Sequence, residues 1–125
     1  RVHFQGHVPH EEIPALLREH GVLVVPSLWQ EPFSRVVLEG MAAGSVVVAS
    51  ATGGNPEMIE DGRTGRLFEP GNVQQLVDTL ERLVQDPLLS KRLSQEAREA
   101  AFERFSLDGM VDRVEGLLHK VAAQR

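Results

Sequence analysis

Residues 31–44 read EPFSRVVLEGMAAG and place two carboxylates, Glu31 and Glu39, eight positions apart across a loop that enters a helix. The apolar run at residues 22–25 precedes this loop and ends in Pro26 and Ser27, so the expected order is strand, loop and helix. At the start of a helix, unpaired backbone N–H groups attract phosphate. Ionised carboxylates nearby accept hydrogen bonds from hydroxyl groups. The stretch therefore predicts a site for a ligand that carries both a diphosphate and sugar hydroxyls.

Composition and charge indicate one folded domain and exclude several classes of protein. The 125 residues are 42% hydrophobic and 25% charged, which provides enough apolar material for a core of ordinary size. A formal net charge of -5 argues against a nucleic-acid surface. Without cysteine the chain forms no disulfide and no thiolate metal site, and its histidines lack metal-ligand spacing. We expect a cytoplasmic protein, with attachment to the cytoplasmic face of a membrane left open.

Strands and helices alternate in the first half of the chain. Apolar runs predict strands at residues 1–6, 22–25, 46–49 and 65–68. Helical spacing predicts helices at residues 9–18 and 34–43, the second beginning at the cap residue Ser34 and ending at Gly44. The two central runs are apolar on both faces, which is typical of parallel strands inside a sheet. The alternation predicts an α/β fold with a parallel sheet and flanking helices.

The second half of the chain is predicted to be a helical tail of three helices. Asn72 and Gln75 resemble a capping box, Asp86-Pro87 separates the first two helices, and Ser106 is expected to cap the third. The first helix carries an apolar stripe of Val73, Leu76, Val77, Leu80, Leu83 and Val84. The second carries Leu89, Leu93, Ala97, Ala100 and Ala101. The third carries Met110, Val111, Val114, Leu117, Leu118 and Val121.

Further motifs stand in a fixed order around the two acids. They are Pro26-Ser27, MAAG at 41–44, GGNPE at 53–57, DG at 61–62 with Gly65, and Phe105-Ser106. With the Glu31 and Glu39 pair, this set resembles the C-terminal domain of the retaining glycosyltransferases of the GT-B fold, family 4 (glycosyl transferases group 1). The resemblance covers nearly the whole chain. It implies a single partial domain over residues 1–125, the Rossmann-like nucleotide-sugar-binding half of a longer protein that also has an N-terminal acceptor domain.

The resemblance implies roles for particular residues. Glu31 is expected near the hydroxyls of the donor sugar and is the candidate catalytic residue, whereas Glu39 is expected at the ribose hydroxyls. The residues whose backbone is expected to face the sugar and the diphosphate are Phe33, Ser34, Arg35, Val36 and Val37. Gly53 and Gly54 either bring backbone close to a ligand or form a simple turn. The family usually has glycine in place of Ser34, so this hydroxyl either crowds the sugar or contacts it.

Several of these residues also have a purely structural interpretation. Glu31 could balance the helix dipole, and Glu39 could be a solvated residue on the helix surface. Arg35 could reach a phosphate, although an arginine in a first helical turn is more often solvated. Trp29 and Phe33 stand on either side of Glu31 in the sequence, and packing is favoured over a base-stacking platform for both. The ordered set of motifs favours the binding role for the two acids.

The function implied is transfer of a hexosyl group from a nucleotide sugar to an acceptor, with retention of configuration, in glycan biosynthesis. UDP-, GDP- and ADP-hexoses are all candidate donors, and no metal or other cofactor is expected. The family's donor site also uses an arginine and a lysine that would precede Arg1, so this chain alone is expected to show no transfer activity. A related inverting GT-B enzyme, a sugar-nucleotide epimerase and a non-catalytic Rossmann-like interaction module are the alternatives.

The strand order implied by the resemblance, 3-2-1-4-5-6, predicts an incomplete sheet. This chain would begin at strand 3, so residues 1–6 would stand apart from residues 22–25. The strand at residues 22–25 would then present an open apolar edge, which is prone to pairing with another chain. We expect either self-association through this edge or re-pairing of the first strand. The apolar stripe of the last helix is expected to be partly exposed.

Overall fold

The computed structural model describes residues 1–124 and shows one parallel sheet with strands in the order β1-β2-β3. The strands are β1 (Val22–Val25), β2 (Val46–Ser50) and β3 (Arg66–Phe68). The helices are α1 (Ile13–Glu19), α2 (Arg35–Ala43), α3 (Asn55–Met58), α4 (Val73–Gln85), α5 (Pro87–Arg104) and α6 (Leu107–Ala123). Val22 pairs with Val46 and Val48 pairs with Arg66, so the predicted α/β class with a parallel sheet is confirmed.

The predicted strand at residues 1–6 is wrong. Residues 1–9 adopt neither helix nor strand, and Phe4 is 96% exposed. The physical reason is that a strand needs a neighbour for its backbone N–H and C=O groups, and β1 pairs only with β2 in the described chain. The helix predicted over residues 9–18 is a 3-10 turn, His10–Glu12, followed by α1.

Each strand alternates its side chains between two layers of helices, which produces two apolar clusters. Val25, Val47 and Ala49 face α2 and the alanine face of α5. Val46, Val48 and Phe68 face α4 and the leucines of α5. Gly40 lets α2 lie close to the sheet, because a Cβ there would stand 2.5 Å from the Leu23 side chain. The buried face of α2 thereby fixes where its N-terminus lies.

The three helices of the tail begin after the predicted residues Asn72, Asp86 and Ser106. The Asn72 side chain accepts a hydrogen bond from the Gln75 N–H (3.0 Å), while the Gln75 side chain bonds the N–H of Glu69 instead of closing a capping box. Asp86 caps α5, and Ser106 Oγ accepts from the Gly109 N–H (3.2 Å) at the start of α6. The five predicted α5 residues are buried, whereas Val73, Val77 and Val84 of the predicted α4 stripe are exposed.

Two apolar features of the described residues lack a partner, the stripe of α6 and the outer edge of β1, as the sequence predicted. All six predicted stripe residues of α6 are exposed, with fractions between 41% and 63%. The outer edge of β1 has no strand partner among residues 1–124, so re-pairing of the first strand does not occur and self-association stays a prediction. No helix within those residues is long and apolar enough to cross a membrane.

Candidate functional site

The loop after β1 and the loop after β2 meet at the carboxyl ends of the parallel strands, the edge where α/β proteins bind ligands. We name residues 26–34 the acid loop and residues 51–54 the glycine loop. The Ser50 hydroxyl donates to the carbonyl of Ser27 (2.6 Å), and the Thr52 hydroxyl donates to the carbonyl of Trp29 (3.4 Å). These two bonds hold the acid loop over the end of β2. Sequence reasoning did not single out Thr52, because an isolated threonine in a loop carries no recognisable signal.

The glycine pair packs against the backbone of the acid loop. The Gly54 N–H donates to the carbonyl of Glu31 (2.9 Å). Gly53 has a φ of +54°, and a Cβ there would lie 2.7 Å from the Glu31 nitrogen. A Cβ on Gly54 would overlap the carbonyl oxygen of Pro32 and stand 2.9 Å from its carbon. Side chains are therefore excluded at both positions, and the glycines do more than form a turn. Direct ligand contact by Gly53 or Gly54 stays a prediction.

Ser34 stands at the N-cap position of α2 but does not cap the helix with its side chain. Its φ of -84° and ψ of 103° are typical of a cap, yet its Oγ is completely buried and has no hydrogen-bond partner. The first intrahelical bond runs from the Leu38 N–H to the Ser34 carbonyl (3.2 Å). The N–H groups of Arg35, Val36 and Val37 consequently lack an intrahelical acceptor. Their partial positive charge makes the start of α2 a suitable place for an anion.

The two acids lie at the acid loop and on α2. Glu31 is half-buried, and its backbone is held from both sides by the bond from Gly54 and by its own N–H to the Trp29 carbonyl (3.1 Å). Glu39 lies on α2 with its side chain 30% exposed, and its carboxylate is 3.7 Å from the guanidinium of Arg35. Arg35 is 76% exposed, so this ion pair is weak and easily exchanged for another partner. The Glu39 carboxylate therefore remains accessible.

The two aromatic side chains of the acid loop differ in their packing. Phe33 contacts Phe105 edge-to-face, with ring centroids 6.1 Å apart and planes at 66°. The predicted packing role is thus met for Phe33. Trp29 is 69% exposed and Leu28 beside it is 72% exposed. The predicted packing role is wrong for Trp29, since more than two thirds of its surface is exposed.

The charged groups elsewhere form a structural network. Arg63 joins the carboxylates of Glu60 and Glu96, the latter at 3.1 Å, and so ties the turn before β3 to α5. The hydrogen bond from Arg63 lowers the pKa of the Glu60 carboxyl, and the two acids raise the pKa of Arg63. Within residues 1–124, no three histidine or carboxylate side chains come together in a way that could hold a metal ion.

The sequence of the chain is similar to those of known glycosyltransferases. The family model described as glycosyl transferases group 1 matches residues 1–100. The chain is 36% identical over 124 residues to MMP alpha-(1->4)-mannosyltransferase of Mycolicibacterium hassiacum, covering 98% of this chain and 30% of that protein. It is 31% identical to alpha-D-kanosaminyltransferase of Streptomyces kanamyceticus, covering 97% of this chain and 31% of that protein. The chain thus spans about 30% of the length of these curated relatives.

Solved structures show the same architecture. Sucrose-phosphate synthase from Thermosynechococcus elongatus superposes with a TM-score of 0.88 at 31% identity, covering 100% of this chain and 31% of that one. Anabaena HepE, crystallised in complex with UDP, superposes with a TM-score of 0.83 at 29% identity, covering 87% and 30% of the two chains. The predicted relation to the GT-B glycosyltransferases is confirmed. By its motifs, its fold and its match over residues 1–100, the chain belongs to the glycosyl transferases group 1 family.

Proposed function

We propose that this chain is the nucleotide-sugar-binding half of a retaining glycosyltransferase that transfers a hexosyl group to an acceptor. The observation that carries the proposal is the start of α2, where three backbone N–H groups without intrahelical acceptors lie between Glu31 and Glu39 in the chain. A diphosphate matches the N–H groups by charge and by hydrogen bonding. The crystal structures of HepE with UDP and with UDP-glucose support this class of ligand.

One carboxylate is available to bind the ribose of the donor and the other to bind its hexosyl group. Glu39 accepts hydrogen bonds from the ribose hydroxyls once its weak pair with Arg35 opens. Arg35, released from Glu39, can turn toward a phosphate. Glu31 accepts hydrogen bonds from the hydroxyls of the hexosyl group and is the proposed catalytic residue. The glycine loop fixes the Glu31 backbone before the donor arrives, so little order has to be created on binding.

The leaving diphosphate is stabilised by the N–H groups of α2 in place of a metal ion. Oriented dipoles of this kind act on charge that develops during bond cleavage. The family resemblance adds an arginine and a lysine from outside this chain. We therefore propose that the 125-residue chain binds a donor and performs no transfer by itself. Purified chain that turned over a nucleotide sugar would contradict the second half of this statement.

The proposal is tested by NMR titration of the ¹⁵N-labelled chain with UDP, GDP, ADP and their hexose conjugates. We expect the amide signals of residues 35–39 to shift with one nucleotide series. Glu39→Ala removes a charged acceptor and should weaken that binding about tenfold or more. Glu115→Ala, an exposed glutamate of α6, is the matched control and should bind as the original chain does.

The outcomes separate the proposed function from its alternatives. Binding of one nucleotide series that is lost in Glu39→Ala supports the donor site. Equal binding by Glu39→Ala and the original chain would remove Glu39 from the site. Absence of shifts with every nucleotide would overturn donor binding by this chain and favour a non-catalytic interaction module.

A further inference from the structure

Trp29 is an exposed aromatic side chain on a firmly held backbone. The residue is 69% exposed, while its carbonyl accepts hydrogen bonds from the Glu31 N–H (3.1 Å) and the Thr52 hydroxyl (3.4 Å). A large apolar ring that faces water is unfavourable unless something covers it. The backbone around it is already ordered, so covering the ring requires little further loss of entropy. Trp29 therefore has the features of a preorganised contact.

The position of Trp29 indicates which part of a donor it meets. The bond between the Glu31 N–H and the Trp29 carbonyl closes a tight turn, so the backbones of Trp29 and Glu31 are held close together. Glu39 lies on α2, beyond the anion site at the start of that helix. Because Glu31 is the acid proposed for the hexosyl hydroxyls, Trp29 lies at the sugar end of the donor. Phe33, the other aromatic of the acid loop, is already engaged with Phe105.

We infer that Trp29 is the platform for the hexosyl ring of the donor. The indole face covers the apolar face of the pyranose, where C–H groups point outward, while Glu31 accepts hydrogen bonds from its hydroxyls. A pyranose offers these two kinds of surface together, and an aromatic beside an acid matches both. This inference rests on the proposed function. It adds Trp29 as a residue that holds the sugar of the donor in place and so determines which donors bind.

The chain allows a direct test, because Trp29 is its sole tryptophan and it contains no tyrosine. One indole N–H signal in the NMR spectrum and the intrinsic fluorescence both report on this side chain alone. The probes are UDP and UDP-glucose, GDP and GDP-mannose, and ADP and ADP-glucose. We expect the indole signal to shift with a hexose conjugate and to stay in place with the matching nucleoside diphosphate. The amides of residues 35–39 should shift with both.

Variants of Trp29 test how much this side chain contributes to the affinity for the donor. Trp29→Ala should bind the hexose conjugate about 2- to 12-fold more weakly and the nucleoside diphosphate with unchanged affinity. Trp29→Phe keeps a flat ring and should retain most of the affinity for the conjugate. Phe102→Ala is the matched control, since Phe102 is an aromatic on α5 that is 61% exposed. Because both side chains are exposed, circular dichroism should show all three variants folded.

The possible results distinguish this inference from the proposed function. Shifts at residues 35–39 without any change at the indole would overturn the platform and leave donor binding intact. An indole shift of equal size with nucleoside diphosphate and conjugate would also overturn it, because the ring would then contact the base or the phosphates. Absence of all shifts would overturn both statements together.

Discussion

A methyl group added at Gly54 tests whether the glycine loop holds the acid loop in place. The backbone of Gly54 has a φ of -81° and a ψ of -6°, which alanine adopts without strain. The new Cβ would overlap the carbonyl oxygen of Pro32 and lie 2.9 Å from its carbon, where ordinary contacts begin near 3.4 Å. The neighbour is backbone, so it can make room only if the acid loop moves. Gly54→Ala thus isolates a contact between the two loops.

The expected loss of stability follows from three contributions. Overpacking in a tight site costs about 1 to 3 kcal/mol. Displacement of the acid loop also weakens the hydrogen bond between the Gly54 N–H and the Glu31 carbonyl, and its loss lowers the free energy of unfolding by about 1 kcal/mol. Replacement of glycine by alanine also stabilises the folded state by about 0.4 to 1 kcal/mol, because alanine restricts the unfolded chain. The free energy of unfolding should therefore fall by about 2 kcal/mol, which lowers Tm by about 8 °C in a chain of this size.

Urea denaturation followed by circular dichroism measures this change. Gly21→Ala is the control, since a Cβ there meets nothing within 4 Å and its stability should remain within about 0.5 kcal/mol of the original chain. Trp29 fluorescence and the amide signals of Glu31, Phe33 and Ser34 should change in Gly54→Ala and stay constant in the control. A Gly54→Ala chain with unaltered stability and unaltered acid-loop signals would refute the reasoning that this glycine positions Glu31.

Two further changes probe buried and charged groups. Ser34→Ala removes a buried hydroxyl that has no partner, so the free energy of unfolding should stay the same or rise by about 1 kcal/mol in urea denaturation; a fall of that size would show that the hydroxyl is bonded. Glu60 has a lowered pKa because Arg63 stabilises its ionised form, so its contribution is present near neutral pH and is lost as pH falls below about 4. Glu60→Gln should therefore lower Tm more at pH 6 than at pH 3, and an equal decrease at both values would contradict the ion pair.

Local sequence signals predicted the elements that depend on neighbours close in the chain. The apolar runs at β1 and β2, the Asn72 cap of α4 and the break at Asp86-Pro87 are confirmed. The strand at residues 1–6 was wrong because pairing depends on a partner strand, which alternating apolar residues cannot supply.

The features of the site divide in the same way. Some follow from residues that are close in the chain, and others depend on contacts between distant residues. The start of α2 followed from Ser34 and the helical pattern after it. The exposure of Trp29 did not, because no pattern in the sequence shows that Phe105, at the end of α5, contacts Phe33 and not Trp29. The role of Gly54 depends likewise on the acid loop, which is remote in sequence. Such contacts are properties of the folded chain and carry no local pattern.

Buried polar atoms without a hydrogen-bond partner supply an argument for a site here that is independent of family membership. In the part of the chain that the structure describes, these atoms are Ser34 Oγ, Asn55 Oδ1 and Arg66 Nε, and the last lies 3.2 Å from the Asp61 carboxylate. Ser34 ends the acid loop, and Asn55 follows the glycine loop directly. Folded domains keep such atoms rare, and local rules fail chiefly at functional or strained positions. Two such atoms beside the meeting point of these loops therefore support the donor site proposed there.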